Sequence, residues 1–405
     1  MSAESHSLAE SNVLIIWPKA SASIGITLAS FVAQHRHTKS ASFTLITHPV
    51  PGSVLRETEF TFHRGQDTTV RSVVHRGRHI PVLSAIVDGL LTLMFLARPH
   101  RRHDICITAG LNLGLLGIFL RTTGIVEKTA FVIMDYWPQK YGASAFSRLY
   151  RQAYGWCCTH VDFVVDVAPT INKARLADGI RVKSERQICV PHPIDMSEVG
   201  CLPQSQLEPD SLVWTGALTP ECGFELVIEA VALVAPKRPG LIVNVTTYGP
   251  HRDDLWRTIR DKGLEQNFRL IGYFKKEAAF NSFVRKNRIG LAPYCLSDTS
   301  VKNFAGVARP WTYMANGVPP IITRVPPDAE EIEEAKAGMV IDYDKEQLAS
   351  AIMELLTDDH LHHTCRQNGL VLVKTRAAGP VFTGLLSRLG LPPDTHPAPA
   401  GADRV

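Results

Sequence analysis

Arg309 opens the stretch Ala308-Arg-Pro-Trp-Thr-Tyr-Met-Ala-Asn-Gly317-Val-Pro-Pro-Ile-Ile322, which reads as a short helix, a glycine stop and an apolar strand. A long polar loop precedes it. Pro310 suits the first turn of a helix, where its missing N–H costs nothing. Arg309 then stands at the positive end of the helix, where an incoming anion meets the dipole and a guanidinium together. A second loop, Gly216-Ala-Leu-Thr-Pro-Glu-Cys-Gly223, separates the apolar run Leu212–Gly216 from a helix expected over Phe224–Val234. Its glycines would let a phosphate approach the backbone, and a plain turn accounts for them equally well. The histidine run His360-Leu-His-His363 has no partner cluster at metal-ligand spacing and reads as a surface turn, so no metal is expected.

These residues need elements to hold them, and the apolar runs supply the pattern. Val13–Trp17 is followed by a small-residue loop and a helix expected over Ile24–Gln34. Further runs at Phe43–Ile46, Ile105–Ala109, Thr129–Met134 and Val161–Val165 have helix-length segments between several of them. A second series runs from Leu212–Gly216 through Leu241–Tyr248, Phe268–Gly272, Ile289–Pro293 and Pro320–Thr323. Strands alternating with helices imply parallel sheets covered on both faces. Between the two series, residues 191–210 are rich in proline and polar side chains, the composition of an exposed connection. The expected division is an amino-terminal domain over 1–195 and a carboxy-terminal domain over 196–378. A last segment, 379–405, returns towards the first domain and ends in a mobile Pro-rich tail.

Composition excludes several classes. With 405 residues, 45% of them apolar, the chain is too long for one typical core and too apolar for disorder. A net charge of +4 is too mild to argue for nucleic acid. Eight cysteines without a C-x-x-C pair indicate neither a disulfide framework nor a zinc ribbon. The polar, acidic opening MSAESHSLAESN lacks the order of a secretory leader, so the cytoplasm is the expected compartment.

Residues 80–97 are the most apolar in the chain. Arg76, Arg78 and His79 precede them, and Arg98, His100, Arg101, Arg102 and His103 follow. Asp88 argues against spanning a bilayer, since a carboxylate at its centre costs about 3 kcal/mol. Ser84, Asp88 and Thr92 form one polar stripe at helical spacing, suited to burial against a sheet or to shallow seating on an anionic leaflet.

Taken together, the opening Trp214-Thr-Gly-Ala-Leu218, the turn Tyr248-Gly249-Pro250, Leu270–Phe274, Leu291–Tyr294, Arg309–Ile322 and Ala337–Ile341 resemble, in order and spacing, the donor domain of GT-B glycosyltransferases. The likeness is to the large bacterial group that builds polysaccharides and glycolipids, and the Arg309–Ile322 stretch is also similar to exopolysaccharide glucuronosyltransferases. The resemblance implies an α/β fold of two Rossmann-like domains facing across a cleft. It implies hexosyl or glucuronosyl transfer from a nucleotide-diphosphate sugar, a UDP sugar among the candidates, to a lipid-linked or glycan acceptor. No cofactor is implied, because the nucleotide sugar is a substrate. Peripheral association with the inner face of the plasma membrane goes with such an acceptor.

Carried over position by position, the resemblance makes Gly216, Tyr273, Phe274, Lys302, Arg309 and Thr312 the donor-binding set. The base is read near Tyr273 and Phe274, and the diphosphate lies on Arg309. His192 and Asp195 fall at the interdomain crossover, where they shape the hinge. Retaining members carry two glutamates where this chain has Phe304 and Thr312, which cannot accept hydrogen bonds as a carboxylate does. The loop after the first donor-domain strand has Ala217 and Cys222 where members often have Arg and Lys.

An inverting transfer needs a base beside the acceptor hydroxyl. Asp135, at the end of Thr129–Met134, is the candidate. Tyr136 and Trp137 would stack on the sugar and strip water from the carboxylate. A helix-capping aspartate is the plainer reading. Lys19, expected in the loop after the first strand, would assist an acceptor phosphate. A sugar-nucleotide epimerase of the same architecture and a non-catalytic nucleotide- or glycan-binding relative stay open beside the transferase.

Overall fold

The structure is a computed structural model that describes residues 7–19, 24–34, 42–50, 57–64, 67–74, 81–97, 102–137, 142–248, 252–272, 274, 276–296 and 300–393. The Pro-rich tail expected at the end falls, from residue 394, outside the described residues, as does Tyr273. The chain divides into two units. One comprises Met1–Pro193 with Ala378–Val405, the other Ile194–Ala377.

The first unit runs β1 (Val13–Lys19), α1 (Ile24–Gln34), β2 (Ser42–Pro49), β3 (Glu57–Arg64), β4 (Asp67–Val74), α2 (Pro81–Leu96), β5 (His103–Ala109), α3 (Leu111–Thr122), β6 (Val126–Ile133), α4 (Ala145–His160), β7 (Phe163–Asp166), α5 (Pro169–Ala177) and β8 (Gln187–Cys189). Its eight-stranded sheet has the order β4-β3-β2-β1-β5-β6-β7-β8. From β2 to β8 the neighbours pair in parallel, and β3 and β4 add an antiparallel hairpin at the edge. Strand order reverses between β1 and β5, the switch point at which doubly wound sheets open a crevice. Val13–Trp17 and Ile105–Ile107 are buried there, as central parallel strands require.

The second unit runs β9 (Ser211–Ala217), α6 (Phe224–Val234), β10 (Ile242–Tyr248), α7 (Arg252–Asp261), β11 (Phe268–Leu270), α8 (Glu277–Val284), β12 (Ile289–Ala292), α9 (Ala308–Ala315), β13 (Pro320–Thr323), α10 (Asp328–Glu334), β14 (Met339–Ile341), α11 (Lys345–Thr357) and α12 (Asp359–Leu372). The last helix, α13 (Ala378–Arg388), belongs to the first unit, where Phe382 packs on Phe31 of α1. The six-stranded sheet, β11-β10-β9-β12-β13-β14, is parallel throughout and reverses between β9 and β12.

Two expectations change. His362 is no surface residue: it lies fully buried in α12, where its Nε2 bonds the Arg288 carbonyl at 2.9 Å. Helix α2 carries its stripes the opposite way round from an ordinary surface helix. Ser84, Asp88 and Thr92 are buried, with Asp88 Oδ1 3.2 Å and Thr92 Oγ1 2.9 Å from the imidazole of buried His48 on β2. Leu83, Ile86, Leu90 and Met94 face outward, 50–62% exposed. Asp88 is therefore satisfied inside the protein. No helix among the described residues is long and apolar enough to cross a membrane.

Candidate functional site

The second unit places Arg309 in the first turn of α9, beyond the carboxyl ends of β9 and β12 and so at the switch point of its sheet. Three anchors fix this helix. Tyr313 points inward, accepts from Thr215 N at 3.0 Å and donates to the Leu291 carbonyl at 3.2 Å. Gly290 on β12 makes its room, because a Cβ there would lie 2.2 Å from the Tyr313 ring. Trp311 Nε1 donates to Asp328 Oδ1 at 2.7 Å, and the other carboxylate oxygen of Asp328 accepts from Val307 N at 2.8 Å. Asp328 thus satisfies a free N–H at the start of α9 that no cap side chain reaches. Arg376 completes the support, with its guanidinium over the Trp311 ring and Nη1 donating to Asp328 at 3.0 Å.

With the helix held, the Arg309 guanidinium lies 4.0 Å over the Trp214 indole and 5.2 Å from the centre of the Tyr294 ring. Cys222 lies beside it, its Sγ accepting from the Thr219 hydroxyl at 3.3 Å. Gly216, at φ 105°, borders the same guanidinium, since a Cβ there would come 3.4 Å from Arg309 Nη2. Gly223, at φ 69°, is the uncapped N-cap of α6, and its Cβ would meet the Pro293 carbonyl at 2.7 Å, so only glycine fits this loop. Nη1 of Arg309 is buried and has no hydrogen-bond partner. A guanidinium cannot shed its proton, and leaving such an N–H unmet costs about 1–3 kcal/mol. Burial pushes the Tyr294 phenol up, so it stays neutral and offers no countercharge. The arrangement can take an anionic oxygen: a stacked cation, an open glycine edge and the N-terminus of α9 meet there.

Of the expected donor set, Gly216 and Arg309 come together. Phe274 packs on Phe283 at 5.2 Å and Phe280 at 6.0 Å, which anchors its backbone against α8. Lys302 is half-buried in the turn Val301–Asn303, its ammonium unpaired among the described residues. The Thr312 hydroxyl donates to the Ala308 carbonyl one turn back at 3.1 Å, so its proton is spent on its own helix. Trp214, Tyr294 and Asp328 were not among the candidates read from the sequence. Trp214 carried a signal: it stands two residues before Gly216 on a strand and projects to the same face.

In the first unit Asp135 follows β6 and is exposed. Its expected aromatic surroundings are corrected. Tyr136 turns into the core, 1% exposed, with its ring edge-on to Tyr154 at 5.3 Å and its hydroxyl donating to Asp178 at 2.6 Å, so it cannot stack on a sugar. Trp137 is half-buried, and its indole N–H is buried without a partner. Lys19 is the last residue of β1 rather than a loop residue, and its Nζ pairs with Glu59 on β3 at 2.7 Å. Asp195 accepts from Ser197 N at 2.9 Å and Oγ at 2.8 Å, which fixes the turn just past the division at residue 193.

Two doubly wound units of this topology define the GT-B fold. Sucrose-phosphate synthase from Thermosynechococcus elongatus superposes with a TM-score of 0.71 at 14% identity, covering 93% of this chain and 98% of that one. OtsA gives 0.68 at 12% identity over 94% and 99%. HepE from Anabaena, solved with UDP, gives 0.62 at 12% identity over 93% and 99%. No curated protein matches the sequence. Residues 209–358 match the family described as Glycosyl transferases group 1, and the Arg309 site lies within the matched stretch.

Proposed function

We propose that the protein transfers a hexosyl or glucuronosyl group from a nucleotide-diphosphate donor to a lipid-linked or glycan acceptor, in the building of a bacterial polysaccharide or glycolipid. The observation that carries this reading is the buried, unpaired Nη1 of Arg309 at the switch point of the sheet within the matched stretch. In this reading the guanidinium stabilises the charge that develops on the leaving diphosphate. Gly216 leaves the backbone open beside the guanidinium, the left-handed turn at Gly223 sets the start of α6, and Phe274 holds the segment that meets the base. That Anabaena HepE was solved with UDP and glucose supports a uridine nucleotide as the first donor to try. Asp135 removes the acceptor proton in an inverting displacement, since Phe304 and Thr312 offer no carboxylate for a retaining one.

The transfer takes place against the inner face of the plasma membrane. Supporting this, the outward stripe of α2 is apolar and its neighbours in sequence are basic at both ends. Nucleotide sugars screened with the full chain and a mixed acceptor extract test the proposal. Turnover releasing nucleoside diphosphate, cut at least about tenfold by R309A, is expected. An isomerised donor formed without acceptor would instead establish an epimerase. Donor binding with no nucleotide release under any condition would establish a binding protein.

A further inference from the structure

The first unit holds a hollow of about 660 Å³ between α4 and the loop after α5. Along one face of α4, Arg148, Arg151, Gln152 and Trp156 line it, and Arg181 faces them from the loop. Arg148 and Arg181 are exposed and have no partner among the described residues. Arg151 reaches Asp178 at 3.5 Å, but the Asp178 carboxylate is already shared with the Tyr136 hydroxyl. Three guanidiniums thus line a concave surface holding one carboxylate. The Trp156 ring, 47% exposed, stands beside them, one face stacked on the His160 imidazole at 4.2 Å.

We infer that this hollow binds a saccharide bearing a carboxylate or a phosphate. Guanidiniums take such groups by paired, charge-assisted hydrogen bonds, and the part of the indole that His160 leaves exposed offers an apolar surface to the C–H side of a sugar ring. A neutral ligand would leave Arg148 and Arg181 without a counterion. A plain apolar partner would desolvate them at a cost.

The hollow is tied to the core of the first unit through Asp178, the carboxylate in its lining. Asp178 binds Arg151 on one side and Tyr136, the neighbour of Asp135, on the other. Calling the bound saccharide the acceptor rests on the transferase reading, whereas binding itself does not. The acidic group comes either from a uronate within a glycan or from the phosphate at the reducing end of a lipid-linked sugar.

Calorimetric titration of the full chain separates these sources. The probes are a hexasaccharide alternating glucuronate and N-acetylglucosamine, the same hexasaccharide with its carboxyls reduced, and geranyl-diphosphate-linked N-acetylglucosamine. At least one acidic probe is expected to bind with a Kd at least about tenfold lower than the reduced one, and R148A/R181A should remove that difference. Both arginines are exposed and unpaired, so the variant keeps its fold. Equal affinity for charged and reduced probes, or an unchanged Kd in the double variant, overturns the inference. Uridine diphosphate binding, tested against R309A in the same samples, reads the other unit separately. Protein that takes nucleotide but neither acidic probe overturns the hollow and leaves the transferase reading standing.

Discussion

The guanidinium of Arg309 lies over the indole of Trp214, 4.0 Å from its centre, and this contact helps decide where the charge points. A planar cation on an aromatic face keeps its edge N–H groups free, whereas an ammonium on the same stem would wander. R309K is therefore expected to behave as a loss. Its Kd for uridine diphosphate should rise about tenfold or more, although the formal charge is unchanged. W214F keeps part of the stacking face and should weaken binding only a few-fold, in keeping with a cation–π contribution of about 0.5–2 kcal/mol. Calorimetry on both variants checks the pair, and R309K binding as tightly as wild type would show that charge alone suffices.

Gly290 contributes from underneath. The Tyr313 ring occupies the space that any side chain at 290 would need. G290A should push Tyr313 outward, tilt α9 and cost about 1–3 kcal/mol as an overpacked core. Nucleotide binding should weaken with it, because Arg309 moves with the helix. In G290A/Y313L the smaller ring space accepts the methyl group, and part of the melting temperature should return. If G290A melts like wild type, Tyr313 does not fix α9.

Much of this was legible in the sequence, and the exceptions have physical causes. The helices Ile24–Gln34 and Phe224–Val234 and the strand Pro320–Thr323 coincide with their expected bounds, because caps, glycines and unbroken apolar runs mark them locally. The hairpin β3–β4 was missed. Phe60 and Phe62 do alternate with polar residues there, but β4 is almost wholly exposed and so carries no apolar run. Arg309 could be read from its helix start, whereas its stacking on Trp214 joins positions far apart in the chain, and no local pattern encodes that contact. Tyr136 misled for the opposite reason: beside Asp135 in sequence, it is turned by the backbone into the core, towards Asp178. The direction of α2 was also hidden. Ser84, Asp88 and Thr92 show a stripe, and only His48, on another strand, makes that stripe the inner one.

His362 predicts a pH dependence. Burial holds its imidazole down at about 4, against an ordinary value of 6.5. Between these values the unfolded chain takes up a proton that the folded chain refuses. Stability should therefore fall as the pH drops from 6.5 towards 4, by at most about 3 kcal/mol, and be unaffected by this group above pH 6.5. H362Q can still donate to the Arg288 carbonyl and has no such proton to bind. The gap in melting temperature between wild type and H362Q should shift against wild type across that window, as read by calorimetry from pH 7.5 to pH 4.5. Parallel curves would mean that the imidazole is protonated in the fold.

The outward face of α2 gives the remaining test. Leu83, Ile86, Leu90 and Met94 present an apolar stripe to solvent, and burying each side chain would stabilise an attached state by about 1.5–3 kcal/mol at full burial. Arg76 and Arg78 before the helix and Arg98, Arg101 and Arg102 after it would each add about 1 kcal/mol near anionic lipid. A shallow amphipathic seat needs both contributions, so binding should depend on lipid charge and on salt. The protein is expected to float with phosphatidylglycerol vesicles at low salt, to float less at high salt, and to stay at the bottom with phosphatidylcholine alone. I86Q/L90Q should abolish flotation without changing the melting temperature, because neither side chain contributes to the core. A chain that ignores phosphatidylglycerol vesicles and elutes as a dimer, converted to monomer by I86Q/L90Q, would assign the stripe to a second copy of itself.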